Sequence, residues 1–193
     1  MSETAGRPRP HWRAMAAADV PGAIAVADVV HPSFPEGPAM YLDRIALFPD
    51  GCLALEDEAG AICGYAIAYP AALGAPPPLD TALGALEPGA DALYLHDVAL
   101  LPALRGRGLA EPAITALLSL ADRRSHPAML VSVYGTAPYW RRFGFRPAGE
   151  TIAPAKLASY GKGAVYMVRP VGGGDAEGVC LKNEQGLKIG GGD

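Results

Sequence analysis

The chain of 193 residues is long enough for one ordinary domain with a full core and short for two. An apolar share of 50% against a charged share of 19% excludes a disordered chain, and a net charge of −4 without any basic run argues against a nucleic-acid partner. No uninterrupted apolar segment reaches the ~18 residues that span a bilayer, and MSETAGRPRPHWRA lacks a signal-peptide core, so a cytoplasmic protein without a membrane partner is expected. The three cysteines are an odd, sparse set that fits a reducing compartment.

Residues 1–10 read as a loose leader and His11 to Met15 as a short first strand. Asp19-Val20-Pro21-Gly22 signals a helix start, and Ala23, Ile24, Ala27 and Val30 follow at helical spacing. After the proline-rich break from His31 to Pro38, a second helix is predicted over Ala39 to Phe48. Cys52 to Glu56 and Ala61 to Tyr69 then form an antiparallel hairpin. Cys52 and Cys63 within it read as two buried, reduced thiols, with a redox pair as the alternative. Pro70 to Ala90, rich in Pro, Gly and Ala, is long for a plain connection and suits a lid or binding loop.

Ala92 to Leu101 is nearly all apolar or aromatic, interrupted only by His96 and Asp97, and suits a buried strand. From Leu109 onward, Leu109, Ala113, Ile114, Leu117, Leu118 and Ala121 take helical spacing, with Pro112 in the first turn, where a missing N–H costs least. Between strand and helix lies Arg105-Gly106-Arg107-Gly108. Free backbone N–H groups, the positive helix end and guanidinium charge converge there, and such a spot binds phosphate. A strand over Ala128 to Tyr134, a short helix over Tyr139 to Phe143, a strand beginning at Phe145 and a last strand over Ala164 to Val168 complete a single domain over residues 11–170. Residues 171–193 are glycine-rich and read as a tail, with Val179 to Ile189 able to form a small hairpin. The sum is a mixed α/β sheet with helices packed on it.

Val98-Ala99-Leu100-Leu101-Pro102-Ala103-Leu104-Arg105-Gly106-Arg107-Gly108-Leu109-Ala110 resembles the acetyl-CoA signature of the GNAT acyltransferase superfamily. Arg105, Gly108 and Ala110 fill its Arg/Gln-x-x-Gly-x-Gly/Ala positions. The family's second landmark, an aromatic-rich turn before Gly-Phe, is matched by Tyr139-Trp140-Arg141-Arg142-Phe143-Gly144-Phe145, about 35 residues further on. The resemblance covers roughly residues 10–169 and implies a mostly antiparallel splayed sheet. Acetyl-CoA would sit in a gap between the strand ending near Leu101 and that of Ala128 to Tyr134. Val98, Ala99 and Leu100 would face the pantetheine arm with their backbone. Residues 106–110 (Gly106, Arg107, Gly108, Leu109, Ala110) would hold the pyrophosphate together with Arg105, and Trp140 would lie beside the cofactor. No metal is implied.

Acetyl transfer to an amine needs a neutral amine, a donor for the oxyanion and a proton or dipole for the leaving thiolate. The acid in many members of the family is a Tyr at the position held here by Trp140, whose indole cannot act as an acid near neutral pH. Its neighbour Tyr139 is the replacement, and both read equally as packing aromatics. For the base, His96 and Asp97 stand out, and strand alternation sends them to opposite faces, with Tyr94 on the His96 side. A hydrogen-bonded structural role is the other reading of each. Arg141 and Arg142 read as solvated helix charges, with contact from one of them to a CoA phosphate as the alternative. His31, Phe34 and Tyr41 lie where the family walls its acceptor pocket, or else serve the core. The expected acceptor is a small-molecule or protein amine, the acidic balance leaning towards a cationic one, and the expected state is a monomer or homodimer. The rival readings are a catalytically silent acyl-CoA-binding sensor, favoured by Trp140, and a nucleotide binder, for which the Gly-x-x-x-x-Gly-Lys-Ser/Thr loop is missing.

Overall fold

A computed structural model describes residues 10–173. The expected leader lies almost wholly outside the described residues, and the Val179 to Ile189 hairpin lies entirely outside them. Seven strands form one sheet in the order β1-β2-β3-β4-β5-β7-β6. They are β1 (His11–Ala14), β2 (Cys52–Glu56), β3 (Ile62–Ala71), β4 (Ala92–Leu100), β5 (Ala128–Ser132), β6 (Arg146–Pro147) and β7 (Val165–Arg169). Every pairing is antiparallel except β4 with β5. The helices are α1 (Val20–Val30), α2 (Pro38–Leu47), α3 (Glu111–Arg123), α4 (Ala137–Arg141) and α5 (Pro154–Ala158). The element order is the expected one with α5 added, a short helix whose five residues are too few to show a periodic signal.

Pro21 and Pro112 occupy first-turn positions of α1 and α3. Asp19 stands at the α1 N-cap but does not cap it. Its carboxylate instead accepts the Ala16 N–H at 2.8 Å and pairs with Arg13, tying the helix start to β1. The α3 helix begins at Glu111 rather than Leu109, so the glycine-arginine stretch and Leu109 remain loop. Met40 and Tyr41 of α2, Ala23 and Val26 of α1, and Ile114, Leu117 and Ala121 of α3 are buried in one large core with β3, β4 and β5. A smaller apolar cluster gathers Leu55, Cys63 and Leu100 with Trp12, Leu104 and Leu109.

The reading of Cys52 and Cys63 as buried free thiols is borne out, its redox-pair alternative is ruled out, and one strand boundary is corrected. Cys52 is opposite Ile67, whereas Cys63 adjoins Gly64, which is opposite Leu55, so the two cysteines sit at different ends of the hairpin and both are free. Burial pushes the Cys52 thiol up to about 12 and raises that of Cys63, which leaves both protonated and unreactive near neutral pH. The strand after α3 stops at Ser132, and Tyr134 takes a left-handed backbone (φ 53°) in the turn beyond it.

Candidate active site

The parallel pairing of β4 with β5 is confined to Leu93 with Ala128 and Tyr94 with Met129. Beyond Tyr94 the strands part. On its other side β4 stays paired with β3 as far as Leu100 opposite Gly64, and the Leu101 N–H donates to Cys63 C=O at 3.0 Å. Antiparallel ladders alternate the direction of the backbone groups, so Val98 and Leu100 turn theirs away from β3 and into the opening. A cavity of about 760 Å³ occupies the opening, lined by the end of α1, the α1–α2 segment, β4, the residues after β4, the end of β5 and α4.

The loop after β4 closes one end. Gly106 and Gly108 both have φ of +73°, a backbone that favours glycine, and a Cβ added at either would meet no atom within 4 Å. The N–H groups of residues 106–110 donate to no backbone carbonyl among the described residues. What holds the loop is the strand on the far edge of the small cluster: the Trp12 indole N–H donates to Leu109 C=O at 2.6 Å. Arg105 Nε donates to Leu100 C=O at 3.3 Å, bringing its guanidinium to the cavity. Gly106, Gly108, Leu109 and Ala110 also line it; Arg107 is exposed and is not among the lining residues. Tyr139 and Trp140 both reach the cavity from α4, their rings 5.5 Å apart in an edge contact, and Trp140 packs further on Phe145. Burial and the nearby Glu111 charge raise the Tyr139 phenol above its usual value, so it stays protonated. Arg142 pairs with Glu111 at 2.8 Å.

At the other end, His96 and Asp97 do not point to opposite faces. Ile67 is opposite Asp97 and Ala68 is opposite Leu95, so His96 is an extra residue in β4. This β-bulge interrupts alternation and sends both side chains toward α1 and the segment following it. His96 Nε2 meets Glu36 Oε2 at 2.8 Å, its ring lies 5.8 Å from Tyr94, and its side chain is only 2% exposed. Glu36 Oε1 accepts the Asp80 N–H at 2.9 Å, which pins the long β3–β4 connection against the α1–α2 segment. Asp97 has both oxygens engaged: Oδ1 with His31 Nε2 at 3.1 Å, and Oδ2 with the Tyr65 hydroxyl. Tyr41 is not a lining residue; it is fully buried with its hydroxyl 3.5 Å from that of Tyr65, backing the Asp97 site from the core.

His31 caps the C-terminus of α1 and stacks on Tyr134 (centroids 5.7 Å, planes 16° apart), with Phe34 beside the same ring at 6.4 Å. The stack spans the opening between the two strands. His31 and Phe34 therefore do reach the cavity, while Glu36, Tyr65 and Tyr134 belong to the site without having been singled out in the sequence. The one signal for Glu36 was a lone acid in a proline-rich break, and for Tyr134 its position directly before Gly135 at the end of an apolar run.

Burial lowers the His31 pKa, but hydrogen bonding and charge from Asp97, then the charge of Glu36, outweigh it and hold it above the usual histidine value. Burial likewise acts to raise Asp97, and the His31 hydrogen bond and charge bring it below the usual carboxylate range. A raised imidazole stabilises the fold below its unfolded value of about 6.5 and loses that contribution as pH rises through the folded value. A depressed carboxylate does so above its unfolded value of about 3.9 and loses it as pH falls through the folded one. The pair therefore contributes most between about pH 4 and 6.5. The melting temperature of the wild type should fall more steeply than that of Asp97→Asn as pH is raised from 6 to 9. Parallel melting curves would show that the pair adds nothing.

A sheet that opens between two parallel strands, with a free N–H loop at one end of the opening and a polar cluster at the other, offers an extended backbone edge, an anion cradle and a polar pocket along one cavity. The sequence model of the acetyltransferase (GNAT) family matches residues 23–145, and the chain belongs to that family. Similar solved structures include the loading GNATL domain of CurA from Lyngbya majuscula, at 15% identity and a TM-score of 0.67, covering 84% of this chain and 98% of that one. Naa20 from Chaetomium thermophilum, in complex with a bisubstrate analogue, is 16% identical with a TM-score of 0.61, over 83% of this chain and 86% of that one. The GNAT family N-acetyltransferase YhbS from Escherichia coli, in complex with CoA, is 20% identical with a TM-score of 0.53, over 87% and 84%. At these identities the likeness is one of fold. No curated protein matches the sequence. The protein is thus an acyltransferase of the GNAT type with a mixed, mostly antiparallel sheet. Among the described residues no helix is long and apolar enough to cross a membrane.

Proposed function

We propose that the protein transfers an acetyl group from acetyl-CoA to a primary amine of a small molecule or protein, by direct attack in a ternary complex. The observation that carries this reading is the β4 edge that faces the opening, continuous with the unbonded N–H loop. Val98 and Leu100 would pair with the amide-rich pantetheine arm as a neighbouring strand does, with Ala99 between them held on β3. The N–H groups of residues 106–110 would hold the pyrophosphate, with charge from Arg105 beside the cavity and Arg107 on the outer side. Tyr139, a phenol kept protonated that lines the cavity, would give the leaving thiolate its proton, and Trp140 would supply an apolar wall. Asp97 brings a carboxylate to the acceptor end, and His96, tied to Glu36, holds the bulge in shape.

Isothermal titration with CoA, followed by thiol release from acetyl-CoA over a panel of primary amines, tests the proposal. CoA binding with turnover on at least one amine is expected. Binding without turnover on any amine would replace it with the acyl-CoA sensor, for which Trp140 in place of a Tyr is the supporting feature. Loss of binding would remove the assignment of the loop altogether.

A further inference from the structure

We propose that His31 takes the proton from the acceptor's ammonium group and that Asp97 is its positioning residue. The inference rests on the amine-acetylation reading above and concerns the same site. The other polar groups around the β4 bulge are already committed to partners or remain protonated. His96 engages Glu36 through Nε2, and its Nδ1 is sealed in the interior with no partner among the described residues. Glu36 has one oxygen on His96 and the other on the Asp80 N–H. Asp97 has one oxygen on His31 and the other on Tyr65. The phenols of Tyr65 and Tyr134 have pKa values raised by burial and the Asp97 charge, and a protonated phenol accepts no proton.

His31 differs. An ionised carboxylate only accepts, so Nε2 carries the hydrogen toward Asp97, and the lone pair of the neutral ring is left on Nδ1. Nδ1 has no hydrogen-bond partner among the described residues, and it is not among their sealed polar atoms, which are Arg44 Nε, Tyr69 Oη and His96 Nδ1. Two contacts fix the ring, Asp97 on β4 and Tyr134 beyond β5, and the backbone N–H of His31 anchors the residue by donating to Ala27 C=O at 2.6 Å. It therefore stands at the opening where β4 and β5 part, lining the same cavity as Val98. The charged and titratable groups facing it are Asp97 from β4, Glu36 from the α1–α2 segment, Arg105 from the loop and Tyr134 from the turn beyond β5.

The step balances without a co-reactant beyond the proposed substrates. The ammonium proton passes to His31 Nδ1, and the resulting imidazolium lies against the Asp97 carboxylate. The freed nitrogen lone pair forms the C–N bond at the thioester carbonyl, the C–S bond breaks, and its electron pair leaves on sulfur. Of the two protons then on the acylated nitrogen, one goes to the thiolate, with Tyr139 able to relay it, and the other stays as the amide N–H, while His31 returns its own proton to solvent.

The test is the pH profile of acetyl-CoA turnover with alkylamines, compared with hydroxylamine, which is already neutral at pH 7 and needs no base. His31→Gln should lose about 100-fold in kcat on the best alkylamine, with CoA affinity by titration calorimetry unchanged, and should lose only a few-fold on hydroxylamine. The rise of kcat/KM with pH seen for the wild type should vanish in His31→Gln, persist in His96→Gln, and move to lower pH in Asp97→Asn, which removes the anion that favours imidazolium. A His31→Gln enzyme that keeps the rise and stays within about threefold of wild type on alkylamines overturns the inference while leaving the amine reading intact. A wild type that binds CoA but turns over neither alkylamines nor hydroxylamine overturns the amine reading, and this inference with it.

Discussion

Gly108→Glu should weaken CoA binding at least about 100-fold in titration calorimetry while unfolding within a few degrees of wild type. The two halves of this result have separate causes. Within the protein, a Cβ at residue 108 would meet nothing within 4 Å, so no neighbour has to move. The cost to the fold is the left-handed backbone at φ +73°, roughly 1–2 kcal/mol for a residue with a Cβ, in a loop whose N–H groups bond to no other backbone. Towards a phosphate the same change is far worse, because it places a carboxylate where the N–H groups and Arg105 would meet anionic oxygens. Gly108→Ala separates the contributions. It carries the strain and the Cβ without the charge and should bind about tenfold more weakly than wild type. A Gly108→Glu protein with wild-type affinity would mean that the pyrophosphate lies elsewhere.

The donor half of the site could be read along the chain because it is local. Strand, proline, glycine-arginine loop and helix start follow one another within about 20 residues, and each feature acts through its own backbone. The acceptor half was legible only in fragments. His96 and Asp97 announced themselves as polar interruptions, but their direction depends on an extra residue in β4 relative to β3, and a bulge depends on two strands at once. Period-two alternation in β4 alone necessarily put them on opposite faces. Glu36 and His31 lie in or beside a proline-rich break without any periodicity, and their positions come from the partners they find, His96 and Asp97. Ala128 to Tyr134 is apolar or aromatic at most positions, and that run alone extends the expected strand through Tyr134. Its left-handed backbone, which brings the ring over to His31, is a tertiary outcome.

The same dependence on long-range partners explains why the β3–β4 connection is a fixed wall and why one residue of α2 should matter to it. Arg44 is fully buried. Its guanidinium lies 4.4 Å from the Tyr69 ring centroid, pairs with Asp43 and donates to Thr81 C=O at 2.8 Å. Asp43 in turn accepts the Leu83 N–H at 2.9 Å and the Gly84 N–H at 2.8 Å. Helix α2 thus grips the connection at three points, Thr81, Leu83 and Gly84, through adjacent residues of opposite charge. Removing the cation strands Asp43, largely out of water, and leaves the Thr81 carbonyl without its donor. Breaking a buried pair from one side costs about 3–5 kcal/mol, and the residual exposure of Asp43 places Arg44→Met near the lower end, at about 3 kcal/mol in urea unfolding. Arg44→Met/Asp43→Asn should recover part of that loss, since the amide oxygen still receives the two N–H groups and no unpaired charge remains. Amide exchange should quicken over residues 72–91, and through the Glu36–Asp80 contact the disturbance should reach the acceptor end before the loop at 106–110. A loss below about 1 kcal/mol, or exchange that quickens equally at both ends of the cavity, would show that the wall does not hang on Arg44.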